Sequence, residues 1–180
     1  MSNNTSEQYD AVLAQCRDIF EKKMKDYGAS WHILRPSSLT DQIYIKASRI
    51  RSIEETGVAK VDEGVYPEFI GIVNYSLIAQ IQLELGASDS APALDVVLTK
   101  YNNYAEKAKT LMEAKNHDYG EAWRNMRVSS MTDLILMKLQ RVKQIEDNDG
   151  TTIISEGLDA NYYDIMNYAV FAMIKLHYNE

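Results

Sequence analysis

The chain repeats itself, and that constrains its fold more than any other feature. Residues 21–54 align without a gap with residues 113–146 at a shift of 92, and 16 of the 34 paired positions are identical. The strings EKKMKDYGASWHILRPSSLTDQIYIKASRIRSIE and EAKNHDYGEAWRNMRVSSMTDLILMKLQRVKQIE share DYG, a tryptophan, an arginine, SS, TD, a lysine and a second arginine in register. A one-residue adjustment to 93 then matches Glu63, Gly64, Asn74 and Tyr75 with Glu156, Gly157, Asn167 and Tyr168. Each copy therefore carries three segments, giving a first repeat over 1–85, a linker over 86–92 and a second repeat over 93–180. Units of about 75 residues have marginal cores alone, so the two copies are expected to pack face to face like the subunits of a dimer.

Within each copy the apolar spacing is helical. Val12, Cys16 and Ile19, followed by Lys23, fall on one stripe, as do Val97, Tyr101, Tyr104, Ala108 and Leu111. These first helices should stop at Gly28 and Gly120, which suit the left-handed position that ends a helix. Second helices are expected from Ser38 and Ser130, where S-x-x-D (with Asp41 and Asp133) resembles a capping box, to about residues 55 and 147. Third helices are expected over about 66–85 and 156–177, with Pro67 tolerated in a first turn. No segment reads as a strand. The prediction is an all-α six-helix bundle built from two tandem three-helix repeats that share one core.

Charge narrows the function. A net charge of −7 and a pI near 5.0 oppose a surface built to track duplex nucleic acid, which needs clustered Lys and Arg. A free nucleotide accompanied by a cation stays compatible. The single Cys16 forms no intramolecular disulfide, and MSNNTSEQYD lacks the pattern of a secretory signal, so a cytoplasmic location is expected. No stretch approaches the roughly 20 apolar residues of a membrane span.

On a helical wheel Lys138 sits among Ile135, Leu139, Val142 and Ile145, as Lys46 does among Ile43, Ala47, Ile50 and Ile53. An ammonium on a core-facing stripe requires a partner, so Lys138 is expected to reach Glu156, Asp159, Asp164 or Asp118, and Lys46 to reach Asp26, Glu63 or the other repeat. Arg49 and Arg141 lie at the edges of these stripes. Only the second repeat keeps an acid cluster: Asp159 and Asp164 correspond to Tyr66 and Gly71 in the first. Three converging acids, Glu156, Asp159 and Asp164, would hold a lysine or a hard divalent cation among them. Lys115 and Asp118 continue the first-helix stripe towards the same interior end.

The combination KNHDYGEAW, SSMTDLILMKLQRV and an acidic helix ending DIMNYA resembles the nucleotide modification associated domain family, in both copies. That family looks related to the MazG-like all-α nucleoside triphosphate pyrophosphohydrolases. The resemblance implies a nucleotide or nucleoside triphosphate as partner and Mg²⁺ as cofactor. Carried onto this chain, the pattern falls on Lys115, Asn116, Asp118, Lys138, Arg141, Glu156, Asp164 and Asn167. It implies metal binding by Glu156 and Asp164, joined by Asp159, and catalytic roles for Lys138, Arg141 and Asp118. Ligand contacts are implied for Lys115, Asn116 and Asn167. The E-x-x-E pair of the pyrophosphohydrolases does not occur here; Asp18 with Glu21 comes nearest. Two readings therefore stand: an Mg²⁺-dependent nucleotide-processing enzyme, or a helical module that binds a nucleotide or partner without turnover. The sequence leaves further pairing into a homodimer open.

Overall fold

Asn4 starts the first helix by accepting a hydrogen bond from the Glu7 backbone amide at 3.2 Å. The structure is a computed structural model and describes residues 4–57 and 64–179. Its helices are α1 (Thr5–Tyr27), α2 (Pro36–Thr56), α3 (Val65–Leu85), α4 (Leu94–Tyr119), α5 (Val128–Asp147) and α6 (Leu158–His177). One-turn 3₁₀ segments, Ser30–Ile33 and Ala122–Asn125, link the first and second helices of each repeat. No strand occurs among the described residues, and no helix among them is long and apolar enough to cross a membrane. The all-α, six-helix expectation holds.

Gly28 and Gly120, at φ of 69° and 61°, terminate α1 and α4, but only Gly120 takes the expected left-handed helical conformation, since the ψ of Gly28 is −165°. The starts of α2 and α5 differ from expectation. These helices begin at Pro36 and Val128 after Arg35 and Arg127, which make no side-chain cap, so Ser38 and Ser130 lie inside the first turn. A proline is preset for that first position, because its missing N–H would have no helical partner. The third helix of the second repeat starts at Leu158, after an extended Gly157, which leaves Glu156 in the preceding loop. The buried stripes also sit slightly off the predicted ones. Tyr9, Val12, Cys16, Phe20 and Met24 face the core from α1, so Lys23 is pushed to the shoulder. On α4 the buried set is Val97, Tyr101, Ala105, Ala108 and Met112, with Lys115 on the corresponding shoulder.

The helices α3 and α6 form the centre. Each packs on the other and on the second helix of its own repeat, while α2 also meets α5. Both central helices are buried on nearly every side, which is why they lack a polar face. One continuous core joins both repeats.

Equivalent side chains cross between the copies in both directions. The Tyr9 hydroxyl donates to Asn167 Oδ1 at 2.7 Å, and Tyr101 donates to Asn74 Oδ1 at 2.8 Å. The same asparagines then donate to the carbonyls of Ala108 and Cys16, at 3.1 and 3.0 Å. Thr40 donates to Glu146 at 3.1 Å and Thr132 donates to Glu54 at 3.2 Å. Such exchange of equivalent contacts is what an isologous, dimer-like interface produces. It also satisfies the buried tyrosine hydroxyls and asparagine amides that take part in it.

Candidate functional site

Three helices of the second repeat converge on one carboxylate. Asp164 of α6 accepts from Lys115 Nζ of α4 at 2.7 Å through Oδ1, and from Lys138 Nζ of α5 at 2.9 Å through Oδ2. Lys138 lies where Ile135, Leu139 and Val142 are fully buried, so its stem is covered and its head is directed to the acid. Asp164 is itself buried, with 8% of its side chain exposed. For Lys115, burial would lower the pKa, but the hydrogen bond and charge of Asp164, helped by Glu156, outweigh it and hold the ammonium above its ordinary value.

One turn along α5 from Lys138, Arg141 is exposed and contacts only Met137 Sδ, at 3.7 Å, among its hydrogen-bond partners. Both cations line a cleft of about 800 Å³ whose wall also includes the loop after α5. Glu156 and Asn161 complete its wall, with Asn161 Nδ2 bonded to the Gly157 carbonyl at 2.8 Å. Counting Lys115 and Asp164, which join the cleft only through the ion pair of Lys138 and do not line it, the group holds three cations and two acids. The group carries a net positive charge within an acidic chain.

The other expected residues are placed elsewhere. Asn167 is consumed by the Tyr9 and Ala108 bonds of the core, so it holds the repeats together and does not face the cleft. Asn116 is half-buried and donates to Met112 Sδ at 3.3 Å. Asp118 is 75% exposed, 3.2 Å from His117 Nδ1, because α4 has turned its buried stripe away from it. Asp159 is exposed in the first turn of α6, and its backbone carbonyl accepts from Gln80 Nε2 at 2.7 Å. Five positions separate Asp159 from Asp164, which sets them about 140° apart around the helix.

No group of three acids or other metal-binding side chains converges among the described residues. A resident Mg²⁺ needs several oxygen ligands at close range. Asp164 spends both oxygens on ammonium groups, and Asp159 faces away, so the residues present do not fit such an ion in this arrangement.

Two participants escaped the sequence. Tyr168 is half-buried beside the site; burial first, then the Asp164 charge, raises its pKa, while Lys115 and Arg141 pull it down. Its identity with Tyr75 in the other repeat was the available signal. Glu68 is the second. In the first repeat Lys46 and Arg49 both turn to Glu68, at 3.6 and 3.2 Å, and not to Asp26. Glu63 lies outside the described residues. The Lys46 stem lies against Gly71, so closely that a Cβ there would come within 2.6 Å of its Cδ. The glycine that replaces Asp164 thus lets the lysine run along α3 to an acid one turn earlier.

These features define an all-α protein of two tandem three-helix repeats whose basic cleft belongs to the second copy. The sequence profile of nucleotide modification associated domain 1 matches residues 23–83 and 115–176, and the chain belongs to that family. The two matched segments start at Lys23 and Lys115, equivalent positions of the duplication. No curated protein and no solved structure matches the chain.

Proposed function

We propose that the protein binds a nucleotide through its phosphate groups in the second-repeat cleft, without turning it over. The observation that carries this reading is Arg141. Its counterpart Arg49 is paired with Glu68, but the second repeat has Asn161 at the position of Glu68, so Arg141 makes no ion pair among the described residues. A guanidinium presents a planar fork of donors that matches phosphate oxygens. Lys138 sits one turn away on the same wall, fixed by Asp164. Glu156 across the cleft disfavours a second anionic group there and limits how far the phosphates extend. The family description, with its reference to nucleotide modification, agrees in ligand class.

Calorimetric titration of the full chain with nucleoside mono-, di- and triphosphates, with and without Mg²⁺, tests the reading, followed by analysis of the nucleotide recovered. Saturable binding with the nucleotide recovered intact is expected. Absence of binding removes the proposal. Conversion to a monophosphate and pyrophosphate in Mg²⁺ would replace it with the hydrolytic reading.

A further inference from the structure

Trp31 and Trp123 are about equally buried, at 7% and 6% exposed, but they are packed differently. Trp123 stacks on Phe171 with ring centroids 4.2 Å apart and 6° between the planes. The first repeat has Ile78 at the position of Phe171. Beside its own tryptophan, Trp31, it leaves a cavity of about 550 Å³. Gly71, in place of Asp164, lets the Lys46 stem lie against α3, and both residues line that cavity.

The walls are mainly apolar, built from Phe20, Trp31, Ile70, Tyr75 and Ile78. At the rim Tyr27 and Ile33 are 58% and 64% exposed, which places apolar surface at the entrance. The volume falls in the range of small-molecule sites, about 300–1,000 Å³. Aromatic walls favour a flat ring over a branched chain of equal area. Two cations also line the space. Lys46 is answered by Glu68 and lies 5.6 Å from the centre of the Tyr75 ring. Lys23 is exposed and forms no ion pair among the described residues. An uncommitted ammonium beside an apolar cavity selects a ligand with a negative group next to its ring.

We propose that the first-repeat cavity is a second ligand site that takes a planar aromatic anion, its ring against Trp31 and Ile78 and its charge at Lys23. The copy that lost the acidic residue has gained a receptive pocket. The site does not depend on nucleotide binding in the other cleft.

The test uses the full chain and two fluorescent probes, the anion anilinonaphthalene sulfonate and the neutral phenylnaphthylamine. Saturable one-to-one binding of the anionic probe is expected. Ile78→Phe, which installs the ring found in the second repeat, should weaken both probes about tenfold or more, since it fills the cavity. Lys23→Glu lies at an exposed position where the fold is not at risk, and it should weaken the anionic probe about tenfold while sparing the neutral one. Unsaturable binding overturns the proposal. So does unchanged binding in a folded Ile78→Phe protein, or equal loss of both probes in Lys23→Glu. If Ile78→Phe does not fold, the Lys23→Glu comparison decides alone.

Discussion

The two repeats keep the same lysine and arginine on their second helices but balance them from different places. In the second repeat the balancing acid is Asp164, deep on α6, which joins Lys138 to Lys115 and leaves Arg141 to the cleft. In the first repeat the acid is Glu68, one turn earlier on α3, and it takes both Lys46 and Arg49. Moving a carboxylate by three residues along one helix thus changes which cations it engages, drawing the arginine into an ion pair in the first repeat and leaving it outside one in the second. A duplicated scaffold can diverge in function this way with its core intact, because the asparagines that join the copies are unchanged.

The comparison breaks most readily at Asp164. Asp164→Asn leaves two lysines sharing one neutral amide, with Lys138 only 12% exposed, and should destabilise the fold by about 3 kcal/mol in denaturant unfolding. Glu68→Gln should cost clearly less, because Lys46 and Arg49 are each about a quarter exposed, at 27% and 26%, and can turn to water. Combining Asp164→Asn with Lys138→Met should recover most of the loss; no recovery would mean the ion pair is not its source.

At the interface, Tyr9→Phe and Tyr101→Phe each leave a buried asparagine oxygen without its hydroxyl donor. Each should cost about 1–2 kcal/mol, and nearly the same amount, since the bonds are reciprocal. A large inequality would show that the copies do not share the interface evenly.

Glu68→Asn installs the second repeat's residue in the first. If the position of the acid decides anion binding, nucleotide titration should then reveal a second, weaker site. A stoichiometry unchanged from the parent would break that link.

The smallest effect concerns pH. Burial, opposed by the Thr132 and Thr40 hydrogen bonds, raises the carboxyls of Glu54 and Glu146 above their ordinary range. As pH rises from the ordinary carboxylate value to the raised one, the native state holds protons that the unfolded chain has lost, so stability falls through that window. Glu54→Gln and Glu146→Gln should therefore raise stability at neutral pH and flatten the acid limb. Both residues reach solvent, which limits the gain to a few tenths of a kcal/mol. Unfolding midpoints at acidic and neutral pH check the sign.

Helix number, the stops at Gly28 and Gly120 and the shared core were legible because duplication and periodicity are local patterns. The Lys138–Asp164 pair was legible for a related reason, since the wheel placed a charge among Ile135, Leu139 and Val142, where only an acid could satisfy it. Glu68 was not, because its partner in the alignment is Asn161, and a search for identities passes over a position whose importance lies in the difference. The exposed Asp118 was misplaced by a small phase error, as the real stripe of α4 runs through Ala105 and Met112 and turns that residue outwards. Asn167 was expected as a ligand contact because the family pattern falls on it, yet a residue that both copies keep can equally mark an interface bond.

On the proposed reading, the second repeat alone presents an unbalanced arginine to a nucleotide. Matched titrations of Arg141→Gln and Arg49→Gln with a nucleoside triphosphate test it most directly. Arg141→Gln should weaken binding about tenfold, corresponding to one lost charge-assisted contact, while Arg49→Gln should leave it unchanged. Equal losses, or a greater loss with Arg49→Gln, would contradict it.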